Sequence, residues 1–213
     1  MELPPLTRGK ILRRYKRFLC DIELPGGEVV VAHCPNTGAM TSCWEPGAPV
    51  ELSHSDNPKR KLAWTLERVD MGHGWVGVNT ARVNAVIAEG IENGAISELA
   101  GFATLAREPR FEAEGHPGSR FDMFLNDGPG TDAYVEVKNT TLLVDDVVRF
   151  PDAVTERGKK HLELLEIAVQ RGFRGAIVFA INRPEGDWFE PAWDVDPAYG
   201  DTLERVADNG VEA

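Results

Sequence analysis

The sequence predicts an α+β / α/β chain in two parts: an all-β N-terminal third, then a layer in which strands and helices alternate. Two observations carry this. Up to about residue 80 the apolar residues fall in short extended runs punctuated by Gly, Pro and Asn. From Arg82 onward apolar residues recur at helical spacing, and later helical and strand-like runs alternate. The boundary falls near residue 80, giving parts 1–80 and 81–213 with no disordered linker between them.

In the first part Arg17–Leu24 alternates, Pro25-Gly26-Gly27 supplies a turn, and Glu28–His33 resumes an extended run, which together signal a hairpin. Further strands are predicted at Pro49–Ser53, Leu62–Val69 and Trp75–Asn79, with Gly72 and Gly74 turning between the last two. Five short strands of this kind suit a small OB-like β-barrel, and a plain small sheet would use them equally well. In the second part Val83, Val86, Ile87 and Ile91 share helical spacing after Thr80 as N-cap, while Gly90 and Gly94 leave the end of that helix open. Strands are predicted at Thr104–Phe111, Arg120–Leu125, Tyr134–Lys138 and Ala176–Ile181. A helix from about Asp152 to Gln170 lies between the last two. Its Leu162, Leu165, Ala168 and Val169 share a face, and Gly172 closes it.

Composition narrows the class. At 42% hydrophobic and 27% charged residues the chain reads as an ordinary globular protein. It has no apolar run of membrane-spanning length and no hydrophobic leader, so a cytoplasmic, non-membrane protein is expected. Cys20, Cys34 and Cys43 are odd in number and lack a Cys-x-x-Cys pair, which argues against a disulfide framework or structural zinc. His33-Cys34 reads better as a buried thiol beside a histidine than as a ligand pair. The net charge of −11 conceals an asymmetry, because residues 1–75 net +1 and the remainder −12. Overall acidity therefore does not exclude a phosphate-bearing partner.

Strand geometry assembles one candidate site. Successive side chains of a strand point to opposite faces. Glu136 and Lys138 then lie side by side, opposite Val135 and Val137, and Asp122 lies opposite Phe121 and Met123. The turn formers of Asn126–Asp132 would make the two strands an antiparallel pair and bring two carboxylates and an ammonium together. Such a cluster suits metal-assisted phosphodiester hydrolysis, with Asp122 and Glu136 as hard oxygen ligands for Mg²⁺ or Mn²⁺ and Lys138 at the water or phosphate. A Glu-x-Lys strand also occurs as a solvated polar face, and without a metal both carboxylates would pair with Lys138. Spacing alone leaves these readings open.

Seven blocks in order resemble the sugar fermentation stimulation protein A (SfsA) family. They are Arg14-Tyr-Lys-Arg-Phe18, Ala32-His-Cys-Pro-Asn-Thr-Gly-Ala-Met40, Lys59-Arg-Lys-Leu62, Trp75-Val-Gly-Val-Asn-Thr80, Ser119-Arg-Phe-Asp122, Tyr134-Val-Glu-Val-Lys-Asn139 and Phe150-Pro-Asp-Ala-Val-Thr-Glu-Arg-Gly-Lys-Lys-His161. The resemblance implies an OB-type barrel, expected to bind nucleic acid, followed by a PD-(D/E)XK nuclease-like domain, with DNA binding as the family's usual assignment. It makes Asp122, Glu136 and Lys138 the motif's Asp, Glu and Lys. It implies a further acidic residue on the first helix, for which Glu89, Glu98 and Glu112 compete. On the later helix Glu156, Lys160 and His161 are candidates to face the site or a phosphate; Lys160 has the better claim to a phosphate, and a packed or capped role is the alternative for His161. A last strand usually follows in this family, beyond where this sequence stops at Ala213.

For binding, Arg8 to Arg17 holds six Lys/Arg in ten residues. Arg14, Arg17, Lys59, Arg60, Lys61 and Lys160 are the candidate phosphate contacts, and Phe18, Trp44, Trp64 and Trp75 the candidate stacking platforms. With no base-reading motif, the expected partner is nucleic acid, DNA foremost, bound with little sequence selectivity. Three functions compete: a Mg²⁺-dependent nuclease, a non-catalytic DNA-binding regulator of sugar-utilisation genes, and a structural or partner-binding protein whose polar site is inert.

Overall fold

The computed structural model describes residues 1–128 and 130–213. In chain order its first elements are β1 (Leu6–Tyr15), β2 (Leu19–Glu23), β3 (Val29–His33), β4 (Pro49–His54), β5 (Trp64–Asp70), β6 (Trp75–Gly77) and α1 (Thr80–Glu92). A 3-10 turn at Ser97–Leu99 precedes β7 (Thr104–Arg107), β8 (Arg110–Ala113), β9 (His116–Arg120), β10 (Met123–Asn126) and β11 (Ala133–Thr140). Then come β12 (Leu142–Val144), β13 (Val147–Phe150), α2 (Glu156–Gln170), β14 (Arg174–Ile181), β15 (Trp188–Pro191) and α3 (Pro197–Asp208). Two compact units result. One comprises Met1–Arg82, Thr140–Ala153 and Ile181–Pro191; the other comprises Val83–Asn139, Val154–Ala180 and Ala192–Ala213.

In the first unit strands pair in the order β3-β2-β1-β4-β5-β6. A parallel pairing of β3 with β5, at Ala32–Trp64 and His33–Thr65, closes five of them into an OB-type barrel. Its longest strand, β1, is the one that periodicity does not reveal. Of Leu6–Tyr15 only Ile11 is fully buried, and the charged residues around it face outward. The basic run is thus a central barrel strand flanked by β2 and β4, and the Trp75 strand is an addition to β5. Ile11, Ile22, Leu52, Leu66 and Val76 fill the interior with the three cysteines, which are free and buried. Burial pushes the Cys20 thiol up to about 12, which suppresses the reactive thiolate.

Two later segments belong to this unit, whereas the sequence boundary assigned all of 81–213 to the second part. They form the three-stranded sheet β12-β13-β15. The β12–β13 hairpin turns through Asp145 and Asp146, both at positive φ (51° and 61°), on strands too short for periodicity to show. Long-range bonds hold the segments in the unit: Gly77 N–H to Asn182 O at 2.7 Å, and the Arg183 guanidinium to Thr141 O at 2.6 Å.

In the second unit a four-stranded sheet runs β14-β11-β10-β7. α1 lays Val83, Ile87, Ala88 and Ile91 on the face made by Met123, Leu125, Ala133, Val135 and Val137. β10 and β11 pair antiparallel with Met123 opposite Val135, as the turn-rich connection predicts. Pro129, one of its turn formers, lies outside the described residues. Two expected strands are broken. Thr104–Phe111 divides at Glu108 (φ 50°) and Pro109, which has no N–H to give a ladder. Arg120–Leu125 divides because Arg120 ends β9 while β10 begins at Met123, leaving Asp122 just outside the strand. α2 starts at Glu156, later than Asp152, because Thr155 is its N-cap and accepts the Gly158 N–H at 3.0 Å. It ends at Arg171, with Gly172 (φ 87°) following. Leu164 is as fully buried as Leu162 and Leu165, so α2 is covered on more than one face. α3 contributes part of that cover, its Arg205 and Asn209 donating to Glu166 at 2.5 and 2.6 Å. Glu212 forms an isolated parallel bridge with Ala176. Among the described residues no helix is long and apolar enough to cross a membrane.

Candidate functional site

The site in the second unit is built on β11. Alternation sends Val135 and Val137 to the α1 side, so Glu136 and Lys138 project from the opposite face. Lys138 Nζ lies 2.5 Å from Glu136 Oε1, and His161 Nδ1, from α2, bonds the same oxygen. Glu136 is 3% exposed, and its Oε2 is buried with no hydrogen-bond partner. Burial pushes the Glu136 carboxyl up, but the His161 bond and the Lys138 charge outweigh it and hold the group below the usual carboxylate range. Glu136 is therefore ionised at neutral pH.

Asp122 enters from the break before β10. Val137 N–H donates to its Oδ2 and Asn84 Nδ2 to its Oδ1, both at 2.7 Å. Its carboxyl nevertheless sits above the ordinary value. Burial is the first cause and the Glu136 charge the second, only partly offset by these two bonds and by Lys138. Asp122, Glu136 and Lys138 thus share one electrostatic neighbourhood, and two further side chains complete it. Asn84, on α1 five positions before Glu89, reaches Asp122. His161 is paired rather than merely packed. Neither shows in a local sequence pattern, since each contact joins a helix to a strand region distant along the chain.

The other acidic candidates stand elsewhere. Glu98 is in the 3-10 turn, bonded by Ser97, and Glu112 is exposed on β8. Glu156 is at the start of α2, 3.3 Å from Lys159 Nζ. Lys160 is half-buried on α2, and among the described residues no carboxylate pairs with it.

On the barrel the basic candidates divide. The Arg14 guanidinium donates to the carbonyls of Arg17, Asn36 and Gly38 at 2.8–3.0 Å, and Arg17 Nε donates to Thr37 O at 2.8 Å. Both arginines clasp the Asn36–Ala39 loop. Asp152 secures its far end by accepting the Met40 N–H at 3.0 Å, and a Cβ on Gly38 would stand 2.7 Å from that carboxylate. Lys59, Arg60 and Lys61, in contrast, are exposed between β4 and β5, and Arg60 donates to Thr65 Oγ1 at 2.6 Å. Arg60 stands in an open groove with His33, Thr65, Glu67 and Arg82. At its base Glu67, 4% exposed, accepts from Ser53, Asn79 and both arms of Arg82. Of the aromatics Phe18 is 45% exposed, Trp44 and Trp64 lean on the barrel core, and Trp75 lies under the Arg68 guanidinium.

Two family models match the chain in succession. Residues 12–78 match the model of the SfsA N-terminal OB domain, and residues 81–213 match that of the sugar fermentation stimulation protein RE domain. The chain is 49% identical over 213 residues to the sugar fermentation stimulation protein homolog of Magnetococcus marinus, covering 100% of this chain and 90% of that protein. It is 48% identical over 214 residues to the homolog of Geobacter sulfurreducens, with the same coverage. Among solved structures it is similar to Pyrococcus furiosus SfsA in complex with Ca²⁺, with a TM-score of 0.87 and 26% identity over 100% of this chain and 88% of that one. With an OB-type barrel followed by an α/β domain, the chain belongs to the sugar fermentation stimulation protein (SfsA) family.

Proposed function

We propose that the chain binds nucleic acid, DNA foremost, and hydrolyses its phosphodiester backbone with Mg²⁺ or Mn²⁺ held by Asp122 and Glu136. One observation carries the reading: Glu136 keeps a buried, unpartnered Oε2 beside a second carboxylate that its charge already disturbs. Buried polar atoms are ordinarily satisfied, and an excess of negative charge with a vacant acceptor is what a hard cation would complete. Among the described residues no three His, Cys, Asp or Glu side chains form a cation cage. Two carboxylates suffice for Mg²⁺, which retains several waters. The Ca²⁺ complex of the Pyrococcus furiosus relative involves a cation of the same oxygen preference.

When bound, the cation would supply an acidified water and neutralise charge building on the phosphate. The residues of this chain do the rest. Asp122, held by Asn84 and the Val137 N–H, keeps its carboxylate in place. Lys138, 2.5 Å from Glu136, can leave that oxygen to meet the scissile phosphate or orient the attacking water. Lys59, Arg60 and Lys61 supply exposed positive charge for the nucleic-acid backbone, and Lys160 adds one on α2. Arg14 and Arg17 serve by setting the Asn36–Ala39 loop while retaining their charge.

A second reading, DNA binding without turnover as in a regulator of sugar-utilisation genes, is favoured by one contact. Lys138 and Glu136 already neutralise each other. Incubation with single- and double-stranded DNA and RNA, with and without Mg²⁺ or Mn²⁺, separates the two. Metal-dependent cleavage lost in Asp122→Ala and Lys138→Ala supports the nuclease. Binding that persists with no cleavage supports the regulator, and absence of both at low salt refutes each.

A further inference from the structure

The two oxygens of Glu136 are unequally placed. Oε1 receives both Lys138 Nζ and His161 Nδ1, whereas Oε2 is buried and has no partner. The two donors differ in kind. Lys138 ends a flexible four-carbon stem and can swing away. His161 is 8% exposed on α2, next to the fully buried Leu162, so its ring has little freedom to withdraw. Nδ1 faces the Oε1 acceptor directly, so the tautomer with its proton on Nδ1 is the one that this contact calls for.

We infer that His161 is a positioning residue that reserves Oε1, leaving Glu136 a single oxygen for a divalent cation and so favouring Mg²⁺ over Ca²⁺. The inference rests on the cation site proposed above. Its physical basis is the different appetite of the two ions. Mg²⁺ requires compact octahedral coordination, keeps its waters and takes carboxylates through one oxygen. Ca²⁺ accepts six to eight oxygens and readily takes both oxygens of a carboxylate. A glutamate with one oxygen locked by a buried helix residue serves the first ion fully and denies the second a donor. Partners that orient a ligand in this way typically account for about 10–100-fold in metal affinity.

The test is calorimetric titration of the full chain with MgCl₂ and, separately, CaCl₂, on the wild type, Glu136→Gln, His161→Asn and His161→Gln. Asparagine places its amide nitrogen near the position of Nδ1, and glutamine places it near Nε2. His161→Asn is expected to keep the wild-type preference. His161→Gln is expected to weaken Mg²⁺ by about 10-fold or more and Ca²⁺ much less, moving the ratio towards Ca²⁺. Thermal unfolding of each variant shows that both fold. A wild-type ratio in His161→Gln, or equal shifts in both His161 variants, overturns the inference and leaves the cation site standing. A wild type that binds neither ion, or a Glu136→Gln that binds both unchanged, overturns the site and the inference together.

Discussion

Neutralising the two carboxylates of the site one at a time should move stability in opposite directions. Asp122 is raised above its ordinary value by burial and by Glu136. A carboxyl whose folded pKa exceeds its unfolded one, about 3.9 for Asp, destabilises the fold once ionised. The penalty is absent below the unfolded pKa, grows as pH rises, and is complete above the folded pKa. Asp122→Asn removes the charge and can keep both bonds. Its Oδ1 accepts the Val137 N–H, and its Nδ2 donates to an Asn84 amide turned over. Relief of such strain is worth about 1 kcal/mol, or roughly 2–4 °C in Tm for a chain of this length. Glu136 behaves in the opposite sense. Despite burial, His161 and Lys138 hold its pKa down, so its contribution is present above the unfolded carboxylate value and lost as pH falls through the folded one. Glu136→Gln loses the charge that both donors address and should cost about 2 kcal/mol, or roughly 4–8 °C. Thermal unfolding from neutral pH down to about pH 2, without divalent cations, measures both, since the Glu136 contribution is lost only below the unfolded carboxylate value. The Asp122→Asn gain and the Glu136→Gln deficit should be largest at neutral pH and shrink on acidification. A destabilised Asp122→Asn at pH 7, or two variants shifting the same way, refutes the electrostatic account.

The remaining predictions concern the barrel. Arg82→Ala should cost about 3–5 kcal/mol in urea unfolding, because it strands the buried Glu67 carboxylate, and adding Glu67→Gln should recover much of the loss. Arg14→Ala should cost about 2–3 kcal/mol in the same assay, since the carbonyls of Arg17, Asn36 and Gly38 lose a charged donor at once. Lys59→Ala and Lys61→Ala, both at exposed positions, should leave stability within about 0.5 kcal/mol. Each should lower the salt slope of DNA binding, read by fluorescence anisotropy, by about 1.

What was legible in the sequence follows from how local the signal is. Glu136 and Lys138 sit two residues apart in one strand, and alternation alone places them on one face. The antiparallel β10–β11 pair then brings Asp122 alongside, through a connection whose turn formers are visible. Asn84 and His161 reach the same site from helices, where their roles depend on how those helices pack, so composition and spacing are silent about them. β1 was obscured for the opposite reason. A barrel strand whose outward side chains are Arg and Lys shows one buried apolar residue, and its charge suggests a binding surface before it suggests a strand. α3 did carry a start signal, Asp196 as N-cap before Pro197 at the first turn, although its tertiary role in covering α2 is not local.

The same distinction explains why the motif residues alone understate the site. Asp122, Glu136 and Lys138 carry a net single negative charge among them when all are ionised, which looks nearly self-balanced. The packing distributes that charge unevenly. His161 and Lys138 both address Glu136 Oε1, so compensation concentrates on one oxygen, while Oε2 and the Asp122 carboxylate keep the excess. Asp122 has both its oxygens engaged by Asn84 and the Val137 N–H, and Lys138 sits on Glu136. With His161 buried on α2 as the second donor to Oε1, the imbalance between the two oxygens of Glu136 is the feature on which the proposed cation site rests.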